Sequence, residues 1–289
     1  MSTDLACFAG GPLYKALTSG RLKGRQLEAA RTPFGDPEAI LLVEDVPAPF
    51  YLVPRHLPGG RRRGPWQLHY RATLYALKDL GVRAVLDWAA AGAITHTIRI
   101  GQIVLPEDLI DFTRRREQTF FDQTALGLLR QFPVFCPSLR AALEGVLVGR
   151  QVDVRATGTA AVTEGPRLET AAEVRMLAGM GAELVTHSIA PLPFLARELQ
   201  MCMAGALYVV NYAETGSLHR PFSVGSLFGG LTEASDEERL TRLCDILPEM
   251  LTALADRVSG AAPACTCGRT MAAAIEQDGL DEDWRRWFD

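Results

Sequence analysis

Short, nearly apolar runs alternate with amphipathic segments along almost the whole chain, and this alternation limits the folds that the chain can adopt. Buried strands are predicted for six runs: 5–11 (LACFAGG), 39–46 (AILLVEDV), 49–56 (PFYLVPRH), 82–92 (VRAVLDWAAAG), AELVTHS and CMAGALYVVNYA. Helical spacing predicts helices at 67–81, 136–149, about 170–180, PLPFLARELQ and 232–259. The segment VDVRATGTAAVTEG predicts paired strands. We therefore expect a single-domain, three-layer α/β fold, with helices flanking a central mixed sheet that is partly barrel-like.

Composition narrows the class of protein and its partners. Of the 289 residues, 48% are hydrophobic and 22% charged, as in an ordinary soluble domain, and the net charge is −4. This balance offers no attraction for nucleic acid or an anionic membrane, and the basic run GRRRG at 60–64 is typical of a solvated loop. No apolar run is long enough to span a bilayer, and the first residues lack the order of a signal peptide. A cytoplasmic protein is expected.

The ends of the chain and its cysteines suggest no cofactor. We expect a main domain over 1–260 and a C-terminal tail over 261–289 that packs on it or extends from it. Cys265 and Cys267 form a C-x-C pair, but no Cys or His follows them, and a metal site would need two more ligands nearby. Two plain thiols or a structural pair are expected, with no metal. The pair of glycines at 10–11 falls far short of a dinucleotide-binding loop.

Polar residues follow the predicted strands at Val53, Val85, Val185 and Val210, where α/β folds bind ligands. A further stretch, TEGPRLETAAE at 163–173, places a Gly-Pro-Arg turn beside Glu169. Either Glu169 or Thr170 lies near the start of a helix, where acidic and hydroxyl side chains are common. The alternative is that Glu169 is an active-site carboxylate.

Several motifs occur in the order found in trimeric purine nucleoside phosphorylases and methylthioadenosine phosphorylases, and the chain resembles that family over nearly its whole length. The motifs are AGGPL, TPFGDP, PRH with HYRATLYALKDLG, FCPSLRAAL, TEGPRLETAAEVRMLAGMGAELVTHS and VVNYA. The resemblance implies a pentosyltransferase that cleaves the N-glycosidic bond of a purine nucleoside and transfers the ribosyl carbon to phosphate. It also implies a homotrimer, for which the aromatic pair in TFFD (119–122) is the candidate contact loop.

The resemblance assigns the base and sugar positions. Asn211 corresponds to the residue that faces N7 and the 6-substituent, and Glu169 to a carboxylate that accepts hydrogen from N1 of a 6-oxopurine. His187 and Val224 correspond to the sugar side, where an apolar residue accommodates a 5′-methylthio group. The remaining base contacts correspond to Ala91, Gly92 and Leu168. These positions imply a 6-oxopurine nucleoside, 5′-deoxy, 5′-alkylthio or ordinary, as substrate; adenine-type methylthioadenosine cleavage is the alternative.

The phosphate side departs from the family pattern. The resemblance assigns phosphate binding to Gly11, Arg55, His56, Ala90 and Ser188, and includes Arg55, His56 and Asn211 among the catalytic residues. Pro12, however, offers neither a hydroxyl nor an N–H, and Trp88 and Ala89 replace polar residues. A hydrolytic or non-catalytic nucleoside-binding relative with impaired use of phosphate therefore stays open.

Overall fold

Eleven strands of the described chain form one sheet around a long central strand. The computed structural model describes residues 3–28, 30–55, 57, 60, 63–213, 234–260 and 264–288. The strands are β1 (Leu5–Ala9), β2 (Arg25–Gln26), β3 (Leu41–Val43), β4 (Phe50–Pro54), β5 (Ala84–Ala93), β6 (Ile103–Val104), β7 (Asp108–Asp111), β8 (Val154–Arg155), β9 (Thr159–Val162), β10 (Leu184–Thr186) and β11 (Cys202–Tyr212).

The strand order is β2-β3-β4-β1-β5-β10-β9-β7, and β11 lies against β5 as an additional branch. β5 is parallel to β1 and β11 but antiparallel to β10. The sheet is therefore mixed, and it divides at β5. β8 and β9, which we expected to pair with each other, do not do so: β8 pairs with β6, whereas β9 pairs with β7 and β10. Gly158, with φ +156°, lies between β8 and β9, and the two strands pair into different branches of the sheet.

Helices cover both faces of this sheet. They are α1 (Gly11–Thr18), α2 (Tyr70–Asp79), α3 (Pro137–Val148), α4 (Ala171–Gly179), α5 (Leu192–Glu198), α6 (Ala234–Val258) and α7 (Ala272–Gln277). Val85 and Ala89 of β5 face a core that includes residues of α2 and α5, whereas Leu86 and Trp88 face one that includes residues of α1, α3 and α6. This alternation of side chains confirms the predicted three-layer α/β architecture with a central mixed sheet. Among the described residues, no helix has the length and apolar character required to cross a membrane.

The last residues of the described chain, 271–288, pack on the face that carries α2. The Phe288 ring lies 5.2 Å from that of Phe34, and the Trp284 ring lies 4.9 Å from that of Tyr75. Phe120 and Phe121, expected to be exposed in a subunit contact, are buried within the chain. That expectation was wrong because Phe34 and Phe288, distant in sequence, cover them.

A buried carboxylate on α5 ties the segment around Phe120 to the core. Glu198 is 3% exposed; its two carboxylate oxygens accept hydrogen bonds from the Thr119 hydroxyl and the Phe120 N–H, both at 2.6 Å. Burial raises the pKa of Glu198 to about 7, although these hydrogen bonds oppose the rise. The folded protein therefore holds a proton here over a pH range in which the unfolded chain has released it.

The stabilising effect of this proton is fully present below the unfolded pKa, near 4.5, and is lost as pH rises through about 7. We expect Glu198→Gln, which keeps an acceptor for Phe120, to raise the melting temperature relative to the native chain at pH 8 and much less at pH 5. Thermal unfolding at both pH values measures the difference. Exposed Glu276 of α7, changed to Gln, is the control, and equal effects of the two substitutions would contradict the assignment.

Candidate active site

A buried ion pair lies where β4 and β5 run side by side with β1. Arg55 follows β4, and its backbone N–H donates to the Ala9 carbonyl at 3.1 Å. Its guanidinium Nη2 donates to Asp87 Oδ1 at 3.1 Å, with the side chains 11% and 1% exposed. The other Asp87 oxygen accepts the Ile189 N–H at 2.9 Å. Burial raises the pKa of Asp87, against the opposing effect of Arg55. The ion pair thus joins the residue after β4 to the segment that follows β10.

Gly10, which follows β1, gives the Arg55 guanidinium room. A Cβ added to Gly10 would lie 3.0 Å from Arg55 Nη1, so the guanidinium approaches the backbone there. Gly11, which begins α1, is exposed, and no atom lies within 4 Å of its added Cβ position. The start of a helix presents free N–H groups and partial positive charge. A cation and a helix N-terminus therefore lie next to each other at this edge of the sheet.

The residues after β10 run back along β5. The Thr186 hydroxyl donates to the Ala90 carbonyl at 2.8 Å and accepts the Ser188 N–H at 3.1 Å. Ser188 is buried, and the next residue, Ile189, reaches Asp87. Hydrogen bonds thus hold Ser188 in the segment between Thr186 and the Arg55–Asp87 pair.

A second polar cluster is built on Glu169, which is buried rather than solvated. Glu169 Oε1 accepts from the Thr163 hydroxyl and lies 3.2 Å from His187 Nε2. Burial raises the pKa of Glu169, but the hydrogen bonds from His187 and Thr163 outweigh it and leave the pKa below its usual range. Glu169 is therefore a carboxylate at neutral pH, and the His187 ring donates to it through Nε2.

The helix start next to Glu169 is completed by other residues. Thr170 is the N-cap of α4: its hydroxyl accepts the Glu173 N–H at 3.2 Å, and the Glu173 carboxylate accepts the Thr170 N–H at 2.8 Å. Glu173 also pairs with Arg167 at the surface. This reciprocal pair is a capping box. Of the two interpretations of the 163–173 stretch, the helix-cap role belongs to Thr170, and Glu169 turns inward.

Trp66 covers the cluster around Glu169. Its ring meets the His187 ring edge to face, with centroids 6.1 Å apart. Gly165, at φ +72°, lies beneath both: an added Cβ would be 2.8 Å from the Trp66 ring and 3.0 Å from His187 Nδ1. Only glycine fits between them with this backbone conformation. Trp66 therefore shields one side of His187.

Asn211 lies on β11, opposite Gly92 of β5. The register shifts between Val209 and Asn211, so a bulge precedes the asparagine. A Cβ on Gly92 would be 3.2 Å from Asn211 Oδ1, and Gly92 also pairs with Val185 of β10. Gly92 thus provides space for the Asn211 amide, and β5 alone separates Asn211 from β10, the strand that leads to His187.

The structure brings most of the predicted site residues onto neighbouring strands or into the segments that directly follow them. Arg55 and Ser188 lie around Asp87, His187 contacts Glu169, and Asn211 adjoins Gly92. Ala90 and Ala91 lie on β5, and the Leu168 side chain is 44% exposed. His56 and Val224 lie outside the described residues.

Asp87, Thr163 and Trp66 contact the predicted site residues but were not themselves predicted from the sequence. A charge within the apolar strand LDWAAAG was the available signal for Asp87, and Thr163 begins the stretch TEGPRLETAAE. Nothing in the sequence pointed to Trp66. Trp88, where the resemblance implies a polar residue, is completely buried and stacks on Tyr208 with ring centroids 6.1 Å apart. It fills the core on the opposite face from Asp87 and does not line the site.

Removing one member of the Arg55–Asp87 pair should destabilise the fold more than removing the charge of both. Arg55→Ala leaves Asp87 buried and unpaired, and breaking such a pair typically costs about 3–5 kcal/mol. We expect the free energy of unfolding, measured in urea at one fixed protein concentration, to fall by several kcal/mol. The double variant Arg55→Ala/Asp87→Asn should recover part of the loss. Equal losses in the single and double variants would contradict this account of the pair.

Comparison with known proteins identifies relatives of the chain. The family model described as the phosphorylase superfamily matches residues 50–246. A probable S-methyl-5′-thioinosine phosphorylase from Methanothermobacter thermautotrophicus is 33% identical over 270 residues, which cover 93% of this chain and 89% of that protein. A 6-oxopurine nucleoside phosphorylase from Pyrococcus furiosus is 33% identical over 199 residues, covering 66% and 74%.

A solved structure shares the fold. It is a double mutant of the adenosine/methylthioadenosine phosphorylase from Schistosoma mansoni in complex with adenine. The TM-score is 0.78 at 21% identity, and the match covers 96% of this chain and 99% of that one. The sequence expectation of a nucleoside-phosphorylase-like fold is thereby confirmed.

Proposed function

The chain belongs to the phosphorylase superfamily, and on that premise we propose that it cleaves the N-glycosidic bond of a 6-oxopurine nucleoside and transfers the ribosyl carbon to phosphate. The observation that carries the proposal is the position of Asn211 beside Gly92, with the Glu169–His187 contact on the other side of β5 and the Arg55 guanidinium near one end of the same sheet. Two relatives bear names that specify thioinosine or 6-oxopurine substrates, which supports the same class.

Breaking the glycosidic bond separates charge. The sugar becomes oxocarbenium-like while negative charge moves into the purine, so groups that stabilise the departing base accelerate the reaction. In the proposed complex the Asn211 amide accepts hydrogen from N7 and donates to O6. The Glu169 carboxylate, ionised at neutral pH by its hydrogen bonds, accepts from N1–H. Ala91, Gly92 and Leu168 complete the base site.

The same two groups disfavour adenine. Adenine has no N1–H to donate to Glu169, and its amino group faces the Asn211 amide donor. His187 is proposed to lie on the sugar side: its Nε2 is held by Glu169, which leaves Nδ1 as the ring nitrogen for a sugar hydroxyl. A 5′-deoxy or 5′-alkylthio group remains part of the proposal because of the resemblance at Val224.

Phosphate is proposed to bind opposite the base, at the N-terminus of α1 and beside Arg55. Gly11 and Ser188 are proposed to line this place together with Arg55. Ala90 and His56 belong to it by resemblance, although the Ala90 side chain packs on the same face of the sheet as Trp88. Anions bind well at helix N-termini and beside guanidinium groups. Here, however, Asp87 already occupies one side of the guanidinium and offsets part of its charge. This pairing favours weak phosphate binding, so transfer to water is the second candidate function.

A homotrimer in the cytoplasm completes the proposal, on the strength of the family resemblance. The surface that supports it differs from the one expected. Phe120 and Phe121 are buried, whereas Leu128 and Phe132 are 90% and 89% exposed. Two such large apolar side chains four residues apart are typical of a contact surface, so we place the subunit contact in this segment.

Reaction products with and without phosphate distinguish the two acceptors. We expect inosine or 5′-methylthioinosine to yield hypoxanthine together with a sugar 1-phosphate, and turnover to rise with phosphate concentration. Asp87→Asn removes the negative charge that repels phosphate. The KM of this variant for phosphate should therefore be lower than that of the native chain. Chromatographic identification of the sugar product measures the outcome. Free sugar formed at the same rate with or without phosphate would identify hydrolysis, and no cleavage of either nucleoside would contradict the proposed function.

Base choice should depend on Asn211 and Glu169. Leaving a buried polar group unpaired costs about 1–3 kcal/mol, and about 1.4 kcal/mol corresponds to a tenfold ratio. We therefore expect the native chain to prefer 5′-methylthioinosine over 5′-methylthioadenosine by at least roughly tenfold in kcat/KM. Asn211→Asp should narrow this ratio. Glu169→Gln, whose amide can donate to N1 of adenine, should narrow it further.

The matched control for Glu169→Gln is Glu173→Gln, since Gln also completes a capping box. This surface substitution, one helical turn along the chain, should leave the ratio unchanged. A native preference for 5′-methylthioadenosine would instead support the methylthioadenosine alternative.

A further inference from the structure

Four cysteines from three separate parts of the sequence come together on the face of the sheet that carries α3. The Sγ atoms of Cys136, Cys202, Cys265 and Cys267 all lie within 4.8 Å of one another, and those of Cys202 and Cys265 are 3.4 Å apart. Cys136 precedes α3, Cys202 begins β11, and the other two lie at the start of the C-terminal segment 264–288. The sequence expectation of no metal considered only ligands near the C-x-C pair; the fold supplies two more.

The distances suit four ligands around one ion. A tetrahedral zinc site has Zn–S bonds of about 2.3 Å, which places its sulfurs roughly 3.8 Å apart. All four cysteines are free thiols, and the 3.4 Å between Cys202 and Cys265 far exceeds the ~2.05 Å of a disulfide bond. Four protein thiolates in this arrangement are typical of zinc or iron, and they leave no open coordination position. Such a site is structural.

The surroundings can offset the negative charge of a four-thiolate centre. Cys136 is the N-cap of α3, and its Sγ accepts the Leu139 N–H at 3.5 Å. The Arg197 side chain lines the same small cavity as Cys136 and Cys267, and its buried Nε has no partner among the described residues. A helix N-terminus and a guanidinium both favour anionic sulfur.

The C-x-C turn is also held in place. The Thr270 hydroxyl donates to the Arg197 carbonyl at 2.6 Å and contacts the Cys267 carbonyl at 3.1 Å. Cys136 and Cys202 are buried, whereas Cys265 and Cys267 are half-exposed, so an ion can enter from the C-terminal side. One face of the cluster is thus built into the core and the other is reachable from solvent.

We propose that Cys136, Cys202, Cys265 and Cys267 together bind one Zn²⁺ ion, which fastens the C-terminal segment to the start of β11 and the N-terminus of α3. Four thiols lose four protons as the ion binds, giving a centre with a net charge of −2. Cys202 and Asn211 lie toward opposite ends of β11, about 30 Å apart at the usual rise of a strand. The ion therefore takes no part in glycosidic cleavage, and the assignment does not depend on the proposed reaction.

Metal content and cobalt spectroscopy test the site in the full-length chain. The protein is reduced, dialysed against Zn²⁺ or Co²⁺ without oxygen, and freed of loose ions. We expect about one equivalent of zinc per chain, and with Co²⁺ the intense visible bands and thiolate charge-transfer absorption of a tetrahedral sulfur site. Cys265→Ser/Cys267→Ser should lose both signals. Cys244→Ser, a half-buried thiol of α6 outside the cluster, is the matched control and should keep them.

Hydrogen exchange tests whether the ion holds the C-terminal segment in place. Removal of zinc by a chelator should increase hydrogen exchange in residues 264–288, while exchange in β1 and β4 stays the same. The proposal is overturned if the reduced native chain takes up no stoichiometric zinc and shows no tetrahedral cobalt spectrum. That result, combined with disulfide-linked peptides from these cysteines in protein isolated without reductant, would identify the cluster as paired disulfides.

Discussion

Strand β5 hydrogen-bonds to three other strands, and this pairing positions Arg55, His187 and Asn211 relative to one another. Its first half lies between β1 and β11, and its last residues lie between β10 and β11. β1 and β4 position the Arg55 guanidinium, β10 positions His187, and β11 carries Asn211. Since β10 runs antiparallel to the other two neighbours, its following residues turn back along β5 toward Asp87. A change of register in any one of these pairings would separate the polar groups.

The Arg55–Asp87 pair affects both the stability of the fold and the charge at this edge of the sheet. A guanidinium buried without a carboxylate would be costly, so Asp87 keeps Arg55 inside the fold. The same carboxylate lowers the positive potential that an anion would meet there. Because the Ile189 N–H fixes the other oxygen of Asp87, the carboxylate cannot easily swing away to release the guanidinium. The fold thus keeps a buried cation at this edge of the sheet, with its charge partly offset by Asp87.

The architecture could be predicted from the sequence because strands such as β5 and β11 are buried on both faces. Such strands are long runs of apolar residues, which are recognisable in a sequence. It also placed Arg55, Glu169, His187 and Asn211 in the order of a known family. Contacts between segments that are distant in sequence could not be predicted in this way. The charge of Asp87 is visible in the sequence, but its partner lies 32 residues away. Phe120 and Phe121 read as exposed because the rings that cover them, Phe34 and Phe288, come from other parts of the chain. Cys136 and Cys202 join Cys265 and Cys267 only through the fold, for the same reason.

At the start of α4, capping the helix and forming the buried polar cluster are the roles of different residues. Thr170 and Glu173 satisfy the backbone at the helix start, so Glu169 carries none of the helix's stability through capping. A substitution at position 169 therefore does not remove a helix cap. A lineage can exchange the carboxylate there while α4, which begins just after it, stays formed. Descendants of one ancestral fold can in this way diverge in the ligand they accept through single substitutions, without passing through an unfolded intermediate genotype.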